Sequence, residues 1–273
     1  MSDALSAAAR TAIGQCLGVG SEESVVVVTD DEREPIGEAL YDAAAAVTDD
    51  VTLLRYPPSD QHGTEPPAPV AAAMAESDVF VAPTTKSLSH TRARGAACAA
   101  DARGATLPGI TQSVFETGLD ADYDAIDAAC DSVLAAVGDA STVRVTAPAG
   151  TDLTVEVGDR EWLADRGVVH APGAFSNLPA GEVFLAPETA SGTVVVDGTM
   201  LPHGRLESGR SVSIEVADGL VTTIADHAVR ADVEAPATSV GHDAHTFPAL
   251  GLGTNRRVPR PVGSVPPPQK APR

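Results

Sequence analysis

The chain has 273 residues, of which 43% are hydrophobic, and it carries 38 acidic against 18 basic residues for a formal net charge of −20. That length and apolar content predict a folded protein with one large domain or two modest ones. The acidic surface would repel a phosphate backbone or an anionic bilayer, so neither nucleic acid nor a membrane is expected as a partner.

The first half of the sequence alternates helices and strands. Helices are predicted at Leu5–Cys16, Pro35–Ala46, Val70–Glu76, Ser89–Ala102 and Tyr123–Val137. Strands are predicted at Ser24–Thr29, Val51–Tyr56, Asp78–Ala82 and Ala105–Leu107. The first strand is a continuous β-branched run, which is typical of a strand buried on both faces of a parallel sheet. We therefore expect residues 1–140 to form a doubly wound α/β N-terminal domain.

From residue 141 the pattern changes to strands separated by short turns. The predicted strands are Thr142–Ala147, Leu153–Val157, Thr193–Val196, Ser211–Val216 and Leu220–Ala225. Asp-Gly pairs at 197–198 and 218–219 are strong hairpin signals. Residues 141–255 are thus expected to form a β-rich, mostly antiparallel C-terminal domain, with a partial metal site as argued below.

The end of the chain breaks this composition. Residues 256–273 contain five basic groups and no acidic one, with many prolines, which predicts a disordered tail. A basic or polyproline ligand, or a true domain that the reading frame ends early, remain alternatives.

Source and compartment follow from residue usage. Only Lys86 and Lys270 are lysines, and an acidic, lysine-poor surface is expected of a halophilic cytoplasm, where salt screens self-repulsion. An ordinary acidic bacterial protein is the alternative. Cys16, Cys98 and Cys130 are too widely spaced to indicate a disulfide framework or a thiolate zinc site. The first twenty residues lack the pattern of a signal peptide, so we expect a cytoplasmic protein.

One carboxylate stands out in the sequence because its neighbours are apolar or small. Glu182 lies between Gly181 and Val183 within the segment GAFSNLPAGEVFLAP at 173–187. Burying it would require a cation, a hydrogen-bond donor or a metal in compensation. Pro179 and Gly181 favour a rigid turn that directs the carboxylate. The alternative is a surface strand residue beside a turn.

Two motifs carry a resemblance to a known family. NLPAGEVFLAP at 177–187, and APTTKSLSHTRAR at 82–94 followed by TLPGI at 106–110, resemble the aminopeptidase T-like metallopeptidases of family M29. That family shares its fold with some bacterial dihydroxypyridine ring-opening dioxygenases. The resemblance implies that Glu182 is a metal ligand, that zinc, cobalt or manganese is the cofactor, that short peptides are the substrates, and that the protein is a homodimer.

The sequence departs from the family pattern near its end. Residues 247–255 resemble the family's Glu-Leu-Gly-Ile-Gly-x-Asn stretch, but Ala249 replaces its second glutamate, and the later ligands would lie beyond Arg273. His242 and His245 are local substitutes, and we expect a loop there with solvated histidines as the alternative. If metal binds, the prediction is a single ion held by Glu182 and His245, with lower affinity than a complete dinuclear site.

Other candidate residues have weaker support. His90 follows the third predicted strand on its carboxyl side, where open α/β sheets bind ligands, so it is a predicted substrate-binding residue. Capping of a helix by Ser89 or Thr91 is the alternative account of that motif. Ser176 lacks a nucleophile elbow, and no glycine-rich phosphate loop is present. The glycines at 251–255 are expected to form a turn. No catalytic residue is assigned.

The preferred hypothesis is a metal-dependent aminopeptidase-like hydrolase that releases N-terminal residues from short peptides and is impaired by the loss of ligands. One alternative is a catalytically inactive relative that binds a small molecule or another subunit. The other is an iron-dependent ring-opening dioxygenase of the same fold.

Overall fold

The structure is a computed structural model that describes residues 2–200, 203–240 and 245–258. The α-helices are α1 Asp3–Arg10, α2 Glu34–Ala45, α3 Ala68–Glu76, α4 Arg92–Ala99, α5 Gln112–Gly118, α6 Tyr123–Val137 and α7 His227–Val240, and a π-helical segment, Thr11–Cys16, continues α1. Within the described ranges, none of these helices has the length and apolar character needed to cross a lipid bilayer.

Fifteen strands are assigned in chain order within the described residues: β1 Val25–Asp30, β2 Val51–Tyr56, β3 Val79–Ala82, β4 Arg103–Thr106, β5 Thr142–Thr146, β6 Asp152–Glu156, β7 Leu163–Asp165, β8 Phe175–Asn177, β9 Glu182–Leu185, β10 Thr189–Val196, β11 Thr199–Met200, β12 Gly204–Arg205, β13 Val212–Ala217, β14 Leu220–Ile224 and β15 Leu250–Gly253. Except for the short pair β11–β12, they form three sheets that differ in pairing and burial.

The first sheet is parallel and has the strand order β2-β1-β3-β4-β8. Every residue of β1, β3 and β4 is buried, as expected when helices cover both faces of a sheet. One core, on the side of α1, α2, α5 and α6, includes Leu40 and Phe115. The other, on the side of α3 and α4, includes Met74 and Phe80. The predicted doubly wound α/β architecture is confirmed.

The second sheet is antiparallel, with the order β14-β13-β10-β6-β5. The β13–β14 hairpin turns at the predicted Asp218-Gly219 pair, where both residues adopt positive φ, +49° and +77°. Such a turn matches the twist of the flanking strands. The β-rich, mostly antiparallel character of the second half is thus confirmed.

The third sheet has the order β15-β9-β7 and was not predicted. The expectation of a turn at 251–255 is wrong for its first three residues, because Leu250–Gly253 is a strand paired with β9. Leu250 and Leu252, two residues apart, pack against the core. Such alternation of apolar residues predicts a strand, but the intervening glycines favoured a turn in the sequence-based prediction.

The parallel sheet takes its fifth strand from beyond residue 140, since β8 pairs with β4. The division into domains at 140 stays a prediction.

Arg257 and Val258 fall in the expected tail; Arg257 forms an ion pair with Asp120, and Val258 is buried. Residues 259–273, and the proposed loop at 241–244, lie outside the described residues.

Candidate functional site

Polar side chains gather where the parallel strands end. Asp30, the last residue of β1, is buried and accepts hydrogen bonds from the backbone N–H groups of Glu32 and Arg33, both at 3.1 Å. Its carboxylate also accepts from the backbone N–H and the hydroxyl of Thr85, which follows β3. The strand order reverses between β1 and β3, a common ligand crevice. Here Asp30 joins the two strand ends directly.

A second polar group lies further along the same edge. The Ser89 hydroxyl is 2.8 Å from the Thr106 hydroxyl and 2.8 Å from Asn177 Oδ1. The Thr106 hydroxyl is 2.7 Å from the same Asn177 Oδ1. Thr106 ends β4 and Asn177 ends β8, so the group connects two strands and the loop after β3. Each hydroxyl has one proton to donate and Asn177 Oδ1 accepts, so two hydrogen bonds at a time connect the three side chains and hold this part of the edge together.

His90 lies beside this group in the turn before α4, and it is exposed. Thr91 caps α4 by accepting a hydrogen bond from the backbone N–H of Arg94 at 3.2 Å, which is one of the two alternatives for the motif. Ser89 instead belongs to the polar group described above. The substrate-binding role of His90 stays a prediction.

Glu182 is buried, with 4% of its surface exposed, so the alternative of a surface strand residue is not observed. The turn before it contains a cis peptide bond at Leu178-Pro179 and positive φ at Gly181. A Cβ atom at Gly181 would lie 2.8 Å from the Cβ of Asn255, closer than side chains pack. The expected rigid turn therefore forms and requires glycine at this position.

A second acid, Asp165, lies directly opposite Glu182 in the β7–β9 register. Facing residues of an antiparallel pair have neighbouring Cβ atoms, so the two acids are close. Burial raises the pKa of Asp165, opposed by hydrogen bonds from the Ser176 hydroxyl, at 2.6 Å, and from the backbone of Gly167. Sequence reasoning missed Asp165 because only the strand pairing, and no local motif, brings it to Glu182.

Asp165 influences a buried set of titratable groups. Burial raises the pKa of the Cys16 thiol and of the Tyr123 phenol, and the nearby charge of Asp165 adds to both shifts. The Tyr123 hydroxyl accepts a hydrogen bond from the backbone N–H of Ala180 at 3.3 Å. A low-dielectric site thus favours the neutral form of each group.

The two predicted metal ligands lie toward opposite ends of the β9–β15 strand pair. Glu182 pairs with Gly253 at one end of the β9–β15 ribbon. His245 precedes the other end, where the next residue, Thr246, is bridged to Leu220 of the antiparallel sheet. Across residues 2–200, 203–240 and 245–258, no group of three His, Cys, Asp or Glu side chains could hold a metal ion. His242 lies outside these ranges, and the metal-ligand roles stay predictions.

Comparisons with known proteins correct the expected family. The solved 2,5-dihydroxypyridine dioxygenase of Pseudomonas putida KT2440 aligns with a TM-score of 0.74 and 18% identity, covering 94% of this chain and 78% of that one. Wild-type AmpT of Thermus thermophilus aligns with a TM-score of 0.63 and 16% identity, covering 92% and 78%. At these identities the two likenesses show a shared fold alone.

No curated protein matches the chain. A family model described as NicX, 2,5-dihydroxypyridine 5,6-dioxygenase, matches residues 4–257. The M29 peptidases therefore share the fold, as the resemblance implied, but they are not the family to which the sequence is assigned. The chain belongs to the 2,5-dihydroxypyridine 5,6-dioxygenase family.

Proposed function

We propose that the protein is a ring-opening dioxygenase that acts on a dihydroxylated pyridine ring. The observation that carries this proposal is the family match, which extends over residues 4–257 and so includes all three sheets. The fold shared with the P. putida dioxygenase supports it. Of the hypotheses drawn from the sequence, this alternative has better support than the aminopeptidase.

The cofactor proposed for this activity is iron rather than zinc, cobalt or manganese. The described residues alone do not fit an iron centre, because no three-ligand group occurs within them. Glu182 is the best-supported single contact for a cation, since it is buried and lies opposite a second acid, Asp165. A nearby cation would offset the cost of burying either carboxylate.

The direct experiment is to load the anaerobically purified chain with Fe²⁺, remove the excess, and add 2,5-dihydroxypyridine and oxygen. We expect stoichiometric bound iron and the consumption of equal amounts of oxygen and 2,5-dihydroxypyridine. An oxygen electrode measures the first, and the ultraviolet absorbance of the pyridine ring measures the second. Iron-free protein is the control. Iron-loaded protein that consumes no oxygen with this substrate would contradict the proposal.

A pair of variants tests Glu182 separately from turnover. Glu182→Gln keeps the shape and removes the charge, and we expect its iron content to fall at least about tenfold because one charged ligand is lost. Glu188→Gln changes an exposed glutamate six residues away and should retain its iron. Equal iron content in the two variants would remove Glu182 from the site.

Aminopeptidase activity is the second candidate, favoured by the NLPAGE segment around Glu182 and by the fold shared with AmpT. Hydrolysis of leucine p-nitroanilide with zinc, cobalt or manganese at high salt tests it. Folded protein that binds none of these metals, iron included, and turns over neither substrate would favour the inactive binding relative. The homodimer and the short-peptide substrates belong to the aminopeptidase hypothesis, whereas the halophilic cytoplasmic setting rests on residue usage, and all of these stay predictions.

A further inference from the structure

Arg94 differs from the other unpaired arginines of this acidic protein. Among the described residues, six arginines have no carboxylate partner, and five of these are exposed: Arg10, Arg160, Arg205, Arg230 and Arg256. Arg94 is the sixth and is half-buried. An unpaired guanidinium held partly out of water gains more from an anionic ligand than a fully hydrated one does.

The guanidinium of Arg94 is oriented by two contacts. Its Nε donates a hydrogen bond to the backbone carbonyl of Ser89 at 2.8 Å, and its Cζ lies 4.6 Å from the centre of the Phe175 ring. An arginine has five N–H donors, and the four on the two Nη atoms have no acceptor among the described residues. The guanidinium is therefore held in one orientation, and its Nη groups donate to no acceptor among the described residues.

Arg103 shows what a purely structural arginine does in the same fold. It bonds both Nη atoms to the Glu23 carboxylate at 2.6 Å, and it also donates from Nε to the carbonyl of Leu17 and from Nη2 to the carbonyl of Gly18. Every part of that fork has a protein acceptor. Arg94 donates to the protein only from its Nε, which leaves its Nη groups accessible to solvent or to a ligand.

Arg94 is connected through Ser89 to the carboxyl edge of the parallel sheet, while the Phe175 ring beneath its guanidinium is at the first residue of β8. Ser89, which holds its Nε, is bonded to Thr106 and Asn177 at the carboxyl ends of β4 and β8, and ligands of open α/β sheets bind at that edge. The neighbouring acid Glu65 is occupied by the first backbone N–H groups of α4 and by the side chain of Arg92.

We propose that Arg94, over the face of Phe175, binds the carboxylate of a small planar acid. The two Nη atoms match the two oxygens of a carboxylate in a bidentate pair. The half-buried Phe175 ring is stacked on Phe80 with 6.5 Å between the ring centres, and its remaining exposed part lies beside that pair. The site involves no metal, so it goes beyond the proposed oxygenase activity and can be tested on metal-free protein.

Binding of 4-fluorobenzoate to the metal-free chain, followed by ¹⁹F NMR, tests the proposal, with 4-fluorobenzamide as the neutral probe of equal shape. We expect the benzoate to bind at least about tenfold more tightly than the amide, since a charge-assisted bidentate pair is lost in the amide. Inorganic phosphate should compete weakly. Competition as strong as that of unlabelled benzoate would overturn the assignment to carboxylates.

The variant series compares two arginines of one helix. Arg94→Gln should lose benzoate binding at least about tenfold, and Arg94→Lys should lose part of it, because a lysine keeps the charge without the fork. Arg92→Gln removes an arginine whose side chain is 93% exposed and should bind as the unmodified chain does. Thermal melting of each variant checks its fold, and Arg94→Lys carries the test if Arg94→Gln is unfolded.

Besides strong competition by phosphate, three outcomes would overturn the proposal. They are no benzoate binding by the unmodified chain, the same affinity for benzoate and benzamide, and equal losses in the Arg92 and Arg94 variants. None of these outcomes depends on iron or on turnover. The carboxylate site at Arg94 and the oxygenase activity are therefore tested independently.

Discussion

The parallel and antiparallel sheets of this protein differ in how many of their strand residues are buried. In the parallel sheet β1, β3 and β4 are buried at every position, whereas β5 and β6 of the antiparallel sheet keep exposed residues at alternate positions or at their ends. Charged side chains follow the same division. Arg103 of β4 is buried and donates four hydrogen bonds to protein acceptors, whereas Arg144 of β5 pairs with Asp152 in solvent. Similar ion pairs should therefore differ greatly in their contribution to stability.

The largest effect is expected at the buried pair. Arg103→Ala leaves the carbonyls of Leu17 and Gly18 without their donor and removes the partner of Glu23, so we expect a loss of about 3–5 kcal/mol in the free energy of unfolding. Urea denaturation followed by circular dichroism measures it.

The matched control is Arg144→Ala, which removes an equally well-formed bidentate pair from the surface. Exposed pairs contribute about 0–1 kcal/mol, so this variant should be close to the unmodified chain. Equal losses at the two sites would show that burial does not set the difference between the sheets.

Truncation of a leucine gives the next largest contrast. Leu40 of α2 is fully buried in the core beside the parallel sheet, and Leu40→Ala should cost about 2–5 kcal/mol through lost contacts and a cavity. Leu220 begins β14 and is 42% exposed. Leu220→Ala should cost much less, about 0.5 kcal/mol. Paired urea titrations decide whether the parallel core is the more sensitive one.

The smallest effect concerns the sign of pH dependence at two aspartates. Burial raises the pKa of Asp165, so the folded state holds its proton more tightly, and stability from this group is lost as pH rises above about 4. Hydrogen bonding by Arg144 lowers the pKa of Asp152, so its stabilisation is present above about pH 4 and is lost as pH falls.

Asparagine at each position separates the two cases. Relative to the unmodified chain, Asp165→Asn should become progressively more stable as pH rises above about 4, whereas Asp152→Asn should show a constant deficit above about pH 4 that shrinks as pH falls below it. Denaturation on both sides of about pH 4 provides the measurement. The same slope for both variants would contradict the assigned shifts.

Much of the fold could be predicted from local sequence. Helix α6 has the predicted bounds, because Asp122 caps its first turn and apolar residues recur at helical spacing along it. Strand β2 also has its predicted bounds. These elements carry their own start and stop signals. In contrast, α7 was missed, since Pro236 within it argues against a helix.

The candidate site was less predictable because strand pairing assembles it. β8 has only three residues between glycine- and proline-containing segments, too few to show a period. Yet its pairing with β4 brings Phe175 to Arg94 and Asn177 to Ser89. Likewise Asp165 reaches Glu182 only through the β7–β9 register. The burial of Glu182 could be anticipated from its apolar neighbours, but the position of Asp165 opposite it could not.

The placement of β8 has a consequence for any attempt to shorten the protein. A fragment that ends near residue 140 would retain four strands of the parallel sheet but would leave the outer main-chain N–H and C=O groups of β4 open to solvent. Unprotected borders of this kind recruit strands from other molecules. Such a fragment should self-associate, because the strand that covers β4 in the whole chain lies in the part that was removed.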